Sequence, residues 1–207
     1  MKTKVISIQD AQALPQALEI LKSGGLVAFP TDTVYGVGGD VFNPQAIESI
    51  YAVKERPREK ALPILLGDAA HLSAVSPPPQ RFVQRLMDSF WPGPLTLVLP
   101  AKSTLPPQLS PYPTVGVRVP AHEGALTLLR ASGPLAATSA NISGRKAPQT
   151  AQGVLEQLGG RIDLILDGGR APGGESSTVV DCASEKLKIL REGPILLEEI
   201  ERIMSNE

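Results

Sequence analysis

The chain has 207 residues, of which 42% are hydrophobic and 20% charged, a composition typical of a soluble globular protein. The net charge of -1 provides no general attraction to nucleic acid or membrane lipid, and the single cysteine, Cys182, excludes an internal disulfide and a cysteine-based zinc cluster. The apolar runs are strand-sized and no apolar signal segment follows Met1, so we expect a cytoplasmic protein with no membrane contact.

Short apolar runs alternate with segments of helical spacing along the chain. Gly24-Gly25 ends the first predicted helix, and Asn43-Pro44 is a typical helix start, because Asn caps well and Pro fits the first helical position. Strands are predicted at 5–8, 26–29, 62–66, 95–99, 115–119, 135–137, 164–167, 178–181 and 187–190, and helices at 11–22, from 43, and at 80–87, 124–131, 151–158 and 196–204. The pattern indicates one α/β domain over residues 1–207 with a mixed sheet and flanking helices.

A polar, glycine-rich stretch, Pro30-Thr31-Asp32-Thr33-Val34-Tyr35-Gly36-Val37-Gly38-Gly39, follows the buried strand at 26–29. Loops at strand ends are where α/β proteins bind ligands, and glycines allow close backbone approach. A tight hairpin is the alternative interpretation. Neither common glycine-rich nucleotide motif, GxGxxG or GxxxxGK[ST], matches this stretch.

A charged stretch, Lys54-Glu55-Arg56-Pro57-Arg58-Glu59-Lys60, lies at the end of the helix that begins at Asn43. A solvated helix end is one interpretation, since cations complement the helix dipole there. The other is a polyphosphate site, because Pro57 ends the helix and an extended end would bring Lys54 and Arg56 to one side.

Two further regions carry neutral donors and arginines. Thr138-Ser139-Ala140-Asn141-Ile142-Ser143-Gly144 follows a short strand and is either a turn or a site for ribose or phosphate oxygens. Arg118 alternates with valines and shares a strand face with Gly116, where it is either a surface residue or a carboxylate clamp. The glycine-rich segment 168–174, before Ser176-Ser177-Thr178, is a candidate lid.

Taken together, these motifs resemble one known family. The order Pro-Thr-Asp-Thr-Val-Tyr-Gly, Lys-x-Arg-Pro, Trp-Pro-Gly-Pro-Leu-Thr, Val-Arg-Val-Pro, Ser-Ala-Asn-Ile-Ser-Gly, Ser-Ser-Thr-Val-Val-Asp and Leu-Arg-Glu-Gly is similar to that of the YrdC-type threonylcarbamoyl-AMP synthases, over about residues 15–195. The most specific part is the set Lys54, Arg56, Ser139 and Asn141. Long members of this family carry a C-terminal domain, so the chain resembles the short, single-domain form.

The resemblance implies a twisted sheet around a concave cleft and a nucleotidyltransferase reaction. L-threonine, bicarbonate and ATP, with Mg²⁺ accompanying the ATP, would give threonylcarbamoyl-AMP and pyrophosphate for threonylcarbamoyladenosine modification of tRNA by downstream transfer proteins. By position, catalysis is expected from Lys54 and Arg56, threonine binding from Thr33, Arg118 and Ser177, and ATP binding from Arg56, Lys60, Thr114, Ser139, Asn141 and Arg191. No protein metal ligand is expected.

Departures from the family and competing functions stay open at this point. Ala147 stands where some relatives have a hydroxyl residue, and Leu65 stands where others have a histidine near the threonine site. The alternatives are a non-catalytic module that binds tRNA or double-stranded RNA, a carbamoyl-adenylating relative that uses carbamoyl phosphate, and a diverged relative with another substrate. Weak tRNA binding is also compatible with the synthase hypothesis.

Overall fold

Ten strands form one mixed β-sheet in the computed structural model, which describes residues 2–184 and 187–205. Neighbouring strands pair in the order β1-β8-β2-β3-β7-β4-β6-β5-β9-β10. The strands are β1 (Lys4–Ser7), β2 (Val27–Phe29), β3 (Gly36–Asp40), β4 (Ile64–Leu65), β5 (Leu95–Pro100), β6 (Thr114–Arg118), β7 (Leu135–Ser139), β8 (Leu164–Asp167), β9 (Thr178–Asp181) and β10 (Lys188–Arg191).

The helices in these ranges lie on both faces of the sheet. They are α1 (Ala13–Lys22), α2 (Pro44–Lys54), α3 (Arg81–Phe90), α4 (Glu123–Ser132), α5 (Ala151–Leu158) and α6 (Leu197–Ser205), with short 3-10 helices at Ala69–Ala74 and Pro107–Leu109. Asn43 caps α2 as predicted, because its side chain accepts hydrogen bonds from the amides of Gln45 and Ala46 and Pro44 occupies the first helical position.

The two faces of the sheet differ in how completely helices cover them. On one face, Ile47 of α2, Leu86 of α3, Val154 of α5 and Ile200 of α6 belong to the larger hydrophobic core. On the other face, α1 and α4 pack on a smaller core that includes Val27, Phe29 and Leu164. On this face α1 contacts β2, β3, β8 and α4, whereas residues of β5, β6 and β9 line an open cleft.

Most predicted elements are confirmed, and the differences lie at their ends and around residue 36. The strand expected at 62–66 shortens to Ile64–Leu65, and Pro15 lies in the first turn of α1, where proline is tolerated. The sequence interpretation missed β3, Gly36–Asp40, because its glycines were assigned to a loop. This strand pairs antiparallel with β2, so the two strands form a hairpin, but residues 30–35 connect them by a longer loop than the tight turn of the alternative interpretation.

No helix in the ranges 2–184 and 187–205 combines the length and the apolarity that crossing a membrane would require.

Candidate functional site

A cleft of about 280 Å³ lies over the open part of the second sheet face. Its floor consists of residues from adjacent strands: Leu65, Thr96, Val98, Gly116, Arg118 and Val179. Strand alternation produces this arrangement, because Leu95, Leu97 and Leu99 of β5 point into the larger core while Thr96 and Val98 face the cleft. The same alternation in β6 confirms that Arg118 shares its face with Gly116.

Arg118 is the most deeply buried cation of the cleft, with 6% of its surface exposed. Its Nε donates to the Gly93 carbonyl at 2.9 Å, its Nη1 to Thr33 Oγ1 at 3.0 Å, and its Nη2 to Asp32 Oδ1 at 2.5 Å. Burial lowers the pKa of Arg118 and the Asp32 charge opposes this, so the guanidinium remains charged at neutral pH. These bonds use three of its N–H groups and fix its orientation.

The loop that joins β2 and β3 is pinned around this arginine. Thr31 and Thr33 are buried and their hydroxyls lie 2.9 Å apart, while Thr31 Oγ1 donates to the Val34 carbonyl at 2.7 Å. Asp32 Oδ1 also accepts from the Ala121 amide at 3.0 Å. Gly174 N donates to the Thr33 carbonyl at 2.8 Å, so the glycine-rich segment 168–174 is docked on this loop. Its role as a lid stays a prediction.

A second group of side chains surrounds Ser177. Its hydroxyl lies 2.7 Å from Thr96 Oγ1, and Arg191 Nη2 donates to it at 3.1 Å. Arg191 also donates from Nε and Nη2 to the Ser177 carbonyl, at 3.0 and 2.8 Å. Arg191 lies on the last position of the edge strand β10 and is exposed, so it borders the cleft at the rim.

Arg56 enters the cleft from the loop after α2. The helix ends at Glu55, which adopts the left-handed conformation with φ 52°, so the chain turns sharply before Arg56. The Arg56 guanidinium donates to the carbonyls of Lys60 and Ala61, at 3.0 and 2.9 Å. Glu55 points away and pairs with the exposed Arg161 at 2.7 Å.

The three arginines give the cleft a positive charge. Burial is the largest cause that lowers the pKa of Arg118 and of Arg191. The charge of Arg191 lowers the pKa of Arg118 further, and the charge of Arg56 lowers the pKa of Arg191 further. Among the residues the structure describes, Asp32 is the one carboxylate that pairs with any of them. Arg56 and Arg191 therefore keep a positive charge that no carboxylate of the described residues balances.

The structure brings most of the predicted site residues together. Those that line the cleft are Thr33, Arg56, Arg118, Ser139, Ser177 and Arg191. Lys60 is exposed and Thr114 half-exposed, and neither is part of the lining within the described ranges. Asn141 and Lys54 are buried behind it.

Of the two cations in Lys-x-Arg, Arg56 lines the cleft and Lys54 does not. Lys54 Nζ donates to the carbonyls of Ser139 and Asn141, both at 2.5 Å, and Lys54 is not in the cleft lining. The physical reason is that Lys54 still belongs to α2 and lies on its buried face with Ile50 and Tyr51, whereas Arg56 lies beyond the turn at Glu55.

Thr31, Thr96 and Ser176 also line the cleft. Thr31 and Ser176 lie in stretches that the sequence marked as candidate ligand sites, but none of the three was assigned as a binding residue. The signal for Thr96 was present, since a threonine alternates with Leu95 and Leu97 in a strand whose other face is apolar. Asp32 was also missed as the partner of Arg118, because a pair 86 residues apart in sequence requires the folded topology.

Comparison with known proteins places the chain in a family. A model for Sua5, YciO and YrdC proteins, described as "Telomere recombination", matches residues 19–193. The chain belongs to the Sua5/YciO/YrdC family. Among the curated relatives of this family member, "Threonylcarbamoyl-AMP synthase" of Bacillus subtilis is 42% identical over 98% of the chain, and the protein of that name from Pyrococcus abyssi is 41% identical over 91%.

Solved structures of Sua5 and YciO proteins agree with the assignment of the chain to this family. P. abyssi Sua5 complexed with L-threonine has a TM-score of 0.94 and 38% identity, and the match covers 98% of this chain and 61% of that one. Escherichia coli YciO has a TM-score of 0.84 and 27% identity, covering 96% of this chain and 98% of that one. The chain spans 59% and 56% of the lengths of the B. subtilis and P. abyssi relatives.

Proposed function

We propose that this protein is a cytoplasmic L-threonylcarbamoyladenylate synthase, which converts L-threonine, bicarbonate and ATP into threonylcarbamoyl-AMP and pyrophosphate. The product would be the activated intermediate for threonylcarbamoyladenosine modification of tRNA, consumed by threonylcarbamoyl-transfer proteins. Relatives bearing the synthase name and the threonine complex of P. abyssi Sua5 support this proposal.

The observation that carries the proposal is the row of arginines along one cleft, of which only Arg118 pairs with a described carboxylate. Such a site is complementary to an anionic small molecule with several charges, and ATP together with an amino-acid carboxylate has this character. The hydroxyls of Thr33, Thr96 and Ser177 between the arginines add neutral hydrogen-bonding groups.

The buried end of the cleft is the proposed threonine site. Arg118 has N–H groups beyond the three that bind Gly93, Asp32 and Thr33, and these would clamp the substrate carboxylate. Thr33 and Ser177 would complete the contacts. Leu65 lies next to Arg118 on the floor and offers an apolar surface to the threonine methyl group.

The proposed ATP site uses Arg56, Ser139 and Arg191 of the cleft lining. Arg191 also borders the proposed threonine site, because it donates hydrogen bonds to Ser177. Lys60 and Thr114 lie outside the cleft lining and would contribute to ATP binding from there. Asn141 and Lys54 are buried beneath the lining and would contribute by supporting it. Among the described residues, no group of three or more His, Cys, Asp or Glu side chains is placed to hold a metal ion. We propose that Mg²⁺ enters with the ATP substrate, where it would neutralise phosphate charge.

The proposed reaction relies on positioning and charge. The threonine amine attacks bicarbonate and water leaves, which gives a carbamate. A carbamate oxygen then attacks the α-phosphorus, and the bond from this phosphorus to the bridging oxygen breaks as pyrophosphate leaves. Holding the reactants in line can lower the barrier by roughly 7–11 kcal/mol. Arg56 and Arg191 would stabilise the charge that develops on the pyrophosphate.

The test is turnover by the purified protein with ATP, Mg²⁺ and bicarbonate, with and without L-threonine. We expect pyrophosphate release that requires both threonine and bicarbonate, together with an adenylate of the mass of threonylcarbamoyl-AMP. Arg118→Ala should abolish it, while Arg81→Gln, at an exposed position of α3 outside the cleft lining, should not. Turnover with carbamoyl phosphate alone, or none with threonine, would refute the proposal.

A further inference from the structure

Lys54 is a buried cation that the proposed chemistry does not use directly. It is the last residue of α2 and only 1% of its surface is exposed. Its ammonium donates to two backbone carbonyls, those of Ser139 and Asn141, each at 2.5 Å. No described ion pair includes it. A lysine buried in this way is unusual, because an unpaired ammonium loses its hydration.

The bonds of Lys54 tie the end of α2 to the turn after β7. In addition to the two ammonium bonds, the Ser143 amide donates to the Lys54 carbonyl at 2.8 Å. Within the turn, the Asn141 amide donates to the Ser139 carbonyl at 2.9 Å. The Asn141 side-chain nitrogen donates to the carbonyls of Ile142 and Arg145, both at 2.8 Å. The turn is thus closed around the lysine.

The surroundings of the ammonium explain how it is tolerated. Carbonyl oxygens favour the charged form, and so does the negative end of the α2 dipole. Burial first, and the charge of Arg56 second, act in the opposite direction and lower the pKa of Lys54 to about 7. A methionine would fill similar space without this desolvation, so the ammonium is explained by the two carbonyls that it holds.

Those carbonyls belong to the part of the chain that forms one wall of the cleft. Ser139 ends β7, pairs with Gly36 of β3, and lines the cleft. Its carbonyl, which accepts from Lys54, is the first group of the turn that follows. A group that fixes the Ser139 and Asn141 carbonyls therefore fixes the wall that faces the proposed nucleotide.

We propose that Lys54 is a positioning residue, which holds the Ser139–Asn141 turn in the shape that binds a nucleoside triphosphate and does not touch the phosphates itself. The identity of the ligand rests on the proposed function. This role links two separate sequence motifs, because Lys54 of Lys-x-Arg acts through Ser139 of Ser-x-Asn, while Arg56 reaches the cleft on its own.

The experiment combines Lys54→Met, Ser139→Ala and the double variant. ATP affinity is measured by calorimetric titration without threonine or bicarbonate, and kcat and both KM values are measured separately. We expect Lys54→Met to weaken ATP binding by about tenfold, with kcat at saturating ATP and the KM for threonine changed by less than about threefold. The double variant should bind ATP no more weakly than the weaker single variant, because both act through one turn.

Several results would overturn the proposal. One is a loss confined to kcat with unchanged ATP affinity, and another is additive losses in the double variant, since both indicate direct action on the phosphates. If Lys54→Met fails to fold, Lys54→Gln retains a donor and must show the same direction of change with a smaller loss. A wild-type protein that binds ATP but makes no adenylate refutes the proposed function alone, and one that binds no ATP refutes both.

Discussion

Within the cleft, Arg118 pairs with a carboxylate, whereas Arg56 and Arg191 are held by neutral groups. These are backbone carbonyls and, for Arg191, also the Ser177 hydroxyl. Arg118 and Asp32 are almost fully enclosed, with side-chain exposures of 7% and 12%. Arg191 lies at the exposed rim and Arg56 is half-buried. The charge of Arg118 is thus balanced by Asp32 and its orientation is fixed. The charges of Arg56 and Arg191 are not balanced by a described carboxylate and are available to a ligand.

The ion-paired arginine and the two arginines held by neutral groups represent two ways of building a binding site for an anion. A buried ion pair fixes geometry, which suits a small substrate that must be oriented, but it depends on both partners being present. Arginines held by neutral groups keep net positive charge, which suits a polyphosphate that arrives with its own counter-ion. The two kinds of arginine should therefore respond differently to substitution, first in stability and then in ligand affinity.

The largest effect is expected from Arg118→Ala. Removing the guanidinium leaves the Asp32 carboxylate buried without its partner, and we expect the free energy of unfolding in urea to fall by about 3–5 kcal/mol. Arg58→Ala is the matched control, since it breaks the exposed Arg58–Glu48 pair and should cost at most about 1 kcal/mol. Equal losses in the two variants would show that the Asp32 pair contributes no more than a surface contact.

A smaller effect, on binding rather than stability, is expected at the rim. Arg56→Gln and Arg191→Gln each remove a cation whose hydrogen-bond partners in the protein are neutral, so the free energy of unfolding should change by less than about 1 kcal/mol. ATP affinity should fall by about tenfold or more at low salt. The loss should be smaller at high salt, because salt screens the interaction of the arginine with the phosphates. Calorimetric titration of ATP at two salt concentrations measures this, and the absence of any change in ATP affinity would contradict the proposed site.

A pH-dependent effect is expected at Lys54. The unfolded chain keeps the proton up to the ordinary pKa of 10.5, whereas burial lowers the folded pKa to about 7. Between these values the unfolded state binds more protons, so this group makes the free energy of unfolding rise with pH, by at most about 1.4 kcal/mol per pH unit. Urea denaturation of wild type and Lys54→Met between pH 6.5 and 8.5 measures the difference in slope. Identical slopes would contradict the shift.

The smallest effect is expected from Glu55→Gly. Glu55 is the one non-glycine residue with positive φ among those described, and glycine adopts this conformation freely. The substitution also removes the exposed pair with Arg161, which contributes little. We expect a gain of about 0.5–1 kcal/mol in the free energy of unfolding. Glu59→Gly, at an exposed position of the same loop for which no positive φ is recorded, is the control and should bring no gain.

The comparison also shows what the sequence could predict. The strands at β5, β6 and β9 and the position of Arg118 follow from alternation, a local property that the sequence displays directly. The partners of the cations do not, because Asp32 and the Ser139 carbonyl meet Arg118 and Lys54 only through the sheet order. The left-handed cap at Glu55 carries no sequence signal either, and it places Arg56 beyond the helix to which Lys54 belongs.

The alternation of the cleft strands has a consequence for how this protein family can diversify. Thr96, Val98 and Gly116 face the ligand space, while their immediate neighbours on β5 and β6 hold the core. At Gly116 an added methyl group would come within 3.1 Å of Thr96 Cγ2 and 3.5 Å of Pro63 Cβ, so even alanine would narrow the floor. Single substitutions at every second position of β5 and β6 can therefore change which ligand fits the cleft, while the core residues between them stay the same.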